Sequence, residues 1–245
     1  MATSEVVNLR GIVLRVSPTK ETGAMVNAIG ENGFFSFYAH GAKKLASPNA
    51  GSLQPFVEAD FLLARSSSDK YTLKESSRGI ALVDVDSSME SMLCATLITE
   101  ITLKLVQSED ASSVYPWLKG ALDALYNKKD ALTATLIYFA HVLGILGYGL
   151  DVNGCVSCGS KENIKAISYE EGGFLCGSCA LELGIQESPL VQLKILRYAF
   201  KAPLNDYGRV TLDRLPAKAV LADLSRYVDN ITGVKLNSTE FILSV

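Results

Sequence analysis

The sequence predicts an α+β fold: a leading all-β segment, then a helical remainder into which a four-cysteine module is inserted. Three observations carry this reading. Short apolar runs broken by turn residues fill the first part of the chain, the hydrophobic period lengthens from Ser88 onward, and two Cys-x-x-Cys pairs lie 17 residues apart. The 245 residues divide accordingly into 1–85 and 86–245, with the cysteine module at about 152–182, a length comfortable for two domains.

The strand signals come first. Val7 to Val16 mixes Val, Leu and Ile with polar residues, Ala24 to Ile29 is a short apolar run, and Gly33 to Ala39 carries Phe34, Phe35, Phe37 and Tyr38. Turn residues separate them: Ser17-Pro18, then Gly30-Glu31-Asn32-Gly33, then Gly41. After a Gly- and Ser-containing connection at Ser47 to Ser52, the run Leu53 to Ala64 and the pair Tyr71 to Glu75 and Gly79 to Val85 complete the set. Strands of this number and spacing suggest a small closed barrel or a sandwich, and the OB-fold is the natural barrel of that size. Strand alternation requires at least two of the four aromatics from Phe34 to Tyr38 to fill its interior.

From Ser88 the pattern is helical. Met89, Met92, Leu93, Leu97, Ile98, Ile101 and Leu105 follow spacings of three and four, and Val114, Trp117, Leu118, Ala121, Leu122 and Leu125 repeat them after a polar break. A third, more apolar helix covers Asp130 to Leu146 and stops at Gly147-Tyr148-Gly149. Ser188-Pro189 reads as a cap followed by proline in the first turn of a helix reaching Lys201, and a last helix covers Ala217 to Ile231, with Gly233 after it.

Cys155-x-x-Cys158 and Cys176-x-x-Cys179 are the most specific motif in the chain. Each pair presents two sulfurs from one tight turn, so two such knuckles can close four thiolates around a tetrahedral Zn²⁺. Gly154, Gly159 and Gly177 let the backbone turn where the sulfurs must converge, and Ala166 to Tyr169 and Gly173 to Leu175 read as a hairpin joined by Glu170-Glu171-Gly172. Four cysteine ligands leave no open position for water, so the zinc is expected to be structural. The rival readings are four unmetallated thiols and a redox pair, the latter normally opening a helix after a strand in a βαβ setting that the pattern lacks. Cys94 is left over.

Composition and missing motifs narrow the function. A hydrophobic content of 48% with 20% charged residues describes an ordinary globular chain. No run reaches the roughly 20 apolar residues of a spanning helix, the most apolar stretch, Ala131 to Tyr148, reading as a core helix. The polar start Met1 to Glu5 does not resemble a secretory signal, so a cytoplasmic location is expected. There is neither a phosphate-binding G-x-x-x-x-G-K-[ST] loop nor a dinucleotide G-x-G-x-x-G turn. Of the two histidines, His141 reads as a satisfied core residue and His40 as a turn residue, and neither sits in a nucleophile motif. No catalytic residues are nominated, and a binding protein is favoured over an enzyme.

Lys43-Lys44 follows the aromatic strand, and Arg10, Arg15, Lys20, Arg65, Lys70 and Lys74 add cations to the same segment. On a barrel, cations at strand ends track phosphates while exposed aromatics stack on bases. The formal net charge of −3 pulls the other way, since scattered lysines are usually only a solvated face.

Gly11-Ile12-Val13-Leu14, Gly41-Ala42-Lys43-Lys44 and above all Leu53-Gln54-Pro55-Phe56 resemble, in order and spacing, the N-terminal domain of the RecO family. A helical domain interrupted by four cysteines is similar to the family's zinc-bearing members, so the resemblance covers nearly the whole chain. It implies an OB-fold joined to a helical domain with a zinc ribbon. It also implies a non-enzymatic, nucleoid-associated recombination mediator in DNA repair that binds single- and double-stranded DNA and anneals complementary strands. The implied partners are RecR and single-stranded-DNA-binding protein, whose tail would dock on the helical domain, and indirectly a RecA-type recombinase that is helped onto coated DNA. Lys43 and Lys44 match the family's basic residues after the Gly-Ala step and are assigned to phosphate contact. Arg15 and Lys20 join them from strand-end placement. The alternative is a protein-interaction scaffold whose DNA contact is weak or incidental.

Overall fold

A computed structural model describes residues 5–19, 22–42, 49–83 and 87–245. The fold is mixed α+β, a sheet from the leading third and helices from the rest, with a small separate hairpin carrying the cysteines.

Six strands make the first sheet: β1 (Glu5–Pro18), β2 (Ala24–Gly30), β3 (Gly33–Ala39), β4 (Val57–Arg65), β5 (Tyr71–Ser76) and β6 (Ile80–Ala81). Strand β1 is long enough to serve two neighbours. Its first part pairs antiparallel with β4, from Glu5 opposite Arg65 to Ile12 opposite Glu58, and its second part pairs with β2, from Ile12 opposite Ile29 to Pro18 opposite Ala24. A register shift between Val13 and Arg15 bends the strand at the changeover. Gly11 is needed there, because a Cβ would sit 2.7 Å from the Ile29 carbonyl oxygen and 2.7 Å from the Phe35 ring. Strands β2 and β3 form a hairpin, β3 and β5 run parallel, and β5 returns antiparallel to β4. The pairings therefore run β1-β2-β3-β5-β4 and back to β1.

Alternation fills this ring with Val13, Val26, Phe37, Phe61, Leu63 and Leu73, all buried. The four aromatics of β3 separate as the alternation requires. Phe37 is interior, Phe35 stacks behind it at one mouth of the ring, Phe34 packs outward against the helical half, and Tyr38 is half-buried on the outer face.

Two expected boundaries move. The run from Leu53 becomes strand only at Val57, because Phe56 adopts φ 64° and its N–H donates to the Val13 carbonyl at 2.9 Å, a turn closing onto β1. Of the expected strand Gly79 to Val85, only Ile80–Ala81 pairs, while 84–86 lie outside the described residues.

The helical half contains α1 (Met89–Leu105), α2 (Ala111–Tyr126) and α3 (Ala131–Ile145), then α4 (Gly177–Glu182), α5 (Leu190–Lys201), α6 (Arg214–Thr232) and α7 (Ser238–Ser244). Helix α3 is buried on nearly every side, in line with its apolar sequence, and its polar side chains find partners both within the helix and across the core. Thr135 donates to the Ala131 carbonyl, and Tyr138 shares a 2.6 Å hydrogen bond with Thr102 of α1. Asp130 caps α3, Ser88 caps α1, and Gly233 ends α6 in the left-handed conformation. The expected Ser188 cap is corrected: Pro189 occupies the N-cap, and the Ser188 hydroxyl accepts from the Ile167 N–H of the cysteine hairpin instead. Helices α4 and α7 carry no sequence signal, each being too short for periodicity to register.

Residues of the sheet and of the helices share one core. Ile12, Leu14 and Ile29 point out of the strand ring into the cluster formed by α1 to α3. Beside them the Glu58 carboxylate, 3% exposed, receives Tyr115 Oη at 2.9 Å, Lys119 Nζ at 2.9 and 3.1 Å, and Arg10 at 3.3 and 3.4 Å. Burial alone raises its pKa, but the Arg10, Lys119 and Tyr115 hydrogen bonds outweigh it and hold the group below its ordinary value.

Candidate metal centre and nucleic-acid face

The cysteine module is built on β7 (Ile164–Ser168) and β8 (Gly173–Cys176), which pair antiparallel around a turn where Gly172 takes φ 79°. The first knuckle precedes them. Cys155 donates its N–H to the Ser160 carbonyl at 2.7 Å and Gly159 donates to the Cys155 carbonyl at 2.8 Å, folding Cys158 back toward Cys155. The second knuckle lies at the β8–α4 junction, where Gly177 donates to the Asn163 carbonyl at 2.9 Å. A Cβ on Gly177 would meet the Asn163 side chain at 2.9 Å, and one on Gly154 would meet the Ser160 carbonyl at 3.0 Å. Both glycines are close approaches that a larger residue would disturb.

The structure brings the four sulfurs together. All lie within 4.8 Å of one another, with Cys158 and Cys176 Sγ 3.7 Å apart, and all four cysteines are free of disulfides. A tetrahedral ion at the usual Zn–S length of about 2.3 Å separates its ligand sulfurs by about 3.8 Å, so donor chemistry and spacing fit a thiophilic cation. Cys155, Cys176 and Cys179 are buried with Ala166, Leu175 and Ala180, while Cys158 faces solvent. Burial opposes the Cys155 thiolate, yet main-chain hydrogen bonds at Cys176, Cys158 and Ser157 outweigh it and bring the thiol down to about 6. Cys176-x-x-Cys179 does open a helix directly after a strand, but that strand belongs to a two-stranded antiparallel hairpin, and two further sulfurs complete the cluster. The module is tied to the body through Ile164, Ile167, Tyr169 and Phe174, which pack on the helical core.

The nominated cations separate. Lys20, Lys43 and Lys44 lie outside the described residues. Arg15 is exposed on the outer face of β1, opposite Asn27 of β2, which in turn lies opposite Ser36 of β3. On the next row Met25 faces Tyr38, whose ring meets His40 edge-on at 4.6 Å. Arg10 is engaged by Glu58 and Asp60, and Arg65 by Glu5 and Asp69. The polar row Arg15-Asn27-Ser36 escapes a reading by residue type and appears only once the register is known. His141 is the satisfied residue expected, hydrogen-bonded to the Ala202 carbonyl at 2.7 Å and stacked 3.6 Å from Trp117. Cys94 is fully buried, and burial raises its thiol to about 12.

Two family models match this chain in succession. The model for the recombination protein O N terminal covers residues 1–78, and that for the recombination protein O C terminal covers residues 87–240. The chain belongs to the recombination protein O family. Curated relatives span most of its length. A protein named DNA repair protein RecO from Bacillus velezensis is 25% identical over 236 residues, covering 95% of this chain and 92% of the relative. The RecO of Desulforamulus reducens is 27% identical over 247 residues (97% and 94%), and that of Exiguobacterium sp. is 29% identical over 231 residues (93% and 92%). Among the described residues no helix is long and apolar enough to cross a membrane.

Proposed function

We propose that this protein is a non-enzymatic recombination mediator of DNA repair, which binds single- and double-stranded DNA, anneals complementary strands and helps a recombinase onto coated single strands. The observation that carries this reading is the pair of family matches, which together take in both halves of the chain. The strand pairing that returns to β1 supports reading residues 1–85 as an OB-type barrel, a fold whose surface commonly binds oligonucleotides. We assign the exposed Arg15 row on its outer face to phosphate, and nominate Lys20, Lys43 and Lys44 for the same role. Residues 86–245 form the helical domain, and we assign Zn²⁺ to Cys155, Cys158, Cys176 and Cys179 in a structural role, all four coordination positions being filled by protein sulfur.

Such a mediator makes and breaks no bond. Its work is differential binding: coated and naked strands are held near one another, and pairing is favoured by the affinity for the paired product. RecR and single-stranded-DNA-binding protein are the partners we expect in the cytoplasm, on the nucleoid. The decisive functional test is annealing of complementary oligonucleotides precoated with the cognate single-strand-binding protein. Faster annealing with this protein is expected, and an unchanged rate contradicts the proposal.

A scaffold role has one observation in its favour. Leu181 is 84% exposed and Leu190 is 62% exposed, both beside the cysteine module, where a protein partner would cover them. Loss of partner capture with unchanged DNA binding in a Leu181→Ser, Leu190→Ser variant would support it.

A further inference from the structure

The ring of strands is not closed evenly along its length. At one mouth β2 has ended at Gly30 while β5 begins only at Tyr71, opposite Phe37, so among the described residues the edge of β3 before Phe37 has no partner on its β5 side. The opening holds a cavity of about 580 Å³, within the ordinary range for small-ligand pockets of about 300–1,000 Å³. Phe35, Tyr71 and Leu9, each partly exposed, form its apolar floor. Phe35 is held rigidly, stacked on Phe37 and edge-on to Phe61, with Gly11 leaving room for the ring.

The rim selects the chemistry of the occupant. Asn8 and Ser36 supply neutral donors and acceptors, Glu31 supplies an exposed carboxylate, and a second lining carboxylate, Asp69, is ion-paired with Arg65. The cation beside them, Arg10, is turned to Glu58 and Asp60. An anionic group gains little here, whereas a flat neutral heterocycle gains an aromatic floor and edge-on hydrogen bonds, and an exocyclic amino group can donate to Glu31. Ser36 also ends the polar row that starts at Arg15. Two interstrand spacings, about 10 Å, separate that exposed cation from the rim.

We infer that the mouth of the strand ring is a base-capture subsite: one unstacked nucleobase of a single strand lies on Phe35 and Tyr71 while its backbone passes Arg15. This inference rests on the DNA-binding reading above and adds to it a contact that tells bases from backbone. A base inserted here is withdrawn from its neighbours in the strand.

The test compares a short oligo(dC) with a fully abasic strand of the same length, both titrated by fluorescence anisotropy at several salt concentrations. The wild-type protein is expected to bind the dC strand about tenfold tighter, the order of one stacked base. Tyr71→Leu, which keeps apolar volume but removes the stacking ring, should bring the two affinities toward parity without changing the salt slope. Asn8→Leu, at an exposed position on the rim, should do the same by filling the mouth with branched apolar volume that offers no stacking ring, and it decides the matter should Tyr71→Leu fold poorly. Equal affinities in the wild type, or full discrimination retained by Asn8→Leu, overturns the subsite and leaves the DNA-binding reading standing. No binding of either strand at low salt overturns both.

Discussion

Glu58→Gln is the substitution whose cost follows most directly from the structure. The carboxylate is 3% exposed and accepts from three side chains on two halves of the molecule, Arg10 of β1 and Tyr115 and Lys119 of α2. An amide of the same shape keeps one acceptor oxygen and cannot balance two cations. Removing one partner of a buried ionic group costs about 3–5 kcal/mol. Arg10 and Lys119 are half and one-third open to solvent, so they rehydrate on losing the charge, which places the cost near 3 kcal/mol. For a chain of this size that is a fall in melting temperature of about 6–12 °C. The pH dependence follows from the same group. Its folded pKa lies below the ordinary 4.5, so as pH falls the unfolded chain takes up the proton first. The stabilisation is therefore complete above about 4.5 and lost as acid passes through the depressed value. Differential scanning calorimetry between pH 3 and pH 7 checks both points. A variant melting within about 2 °C of wild type at neutral pH refutes the reasoning.

Other outcomes follow from the remaining sites. One zinc per chain is expected by elemental analysis of the purified protein, and Cys176→Ser should lower the metal content and increase amide exchange across β7 and β8; full zinc retention by the variant would contradict tetrathiolate binding. Gly11→Ala should destabilise by about 1–3 kcal/mol, because its Cβ falls 2.7 Å from a carbonyl oxygen and from the Phe35 ring, and an unchanged urea midpoint would contradict this. Replacing Lys43 and Lys44 together by alanine should weaken single-strand binding and reduce the magnitude of the salt slope by about 1.4, the share of two phosphate contacts. An unaltered slope would remove both lysines from the site.

Much of the molecule is legible before any coordinates, and what is not legible has a physical reason. The strands of the first part and the long helices were readable because periods of two and three to four need only the identity of each residue. The cysteine cluster was readable because ligand spacing within a knuckle is a local property, and the hairpin between the pairs follows from its glycines. Glu58 was not readable. It shares one face of β4 with Asp60, and nothing in the run Val57-Glu58-Ala59-Asp60 distinguishes the carboxylate that α2 will bury from the one left more open to solvent. The Arg15-Asn27-Ser36 row was hidden for a related reason, since it exists only through the register of three strands and the shift after Val13. The start of β4 at Val57 depended on Phe56 adopting a positive φ, which a bulky residue rarely does and which a tertiary hydrogen bond to Val13 sustains.

Whether this chain acts by gripping DNA is decided by titrating a labelled single-stranded oligonucleotide with the zinc-loaded protein over a range of salt concentrations. Saturable binding is expected at low salt, with a logarithm of affinity that falls linearly with the logarithm of salt concentration. An anisotropy that stays flat at the lowest salt would contradict it.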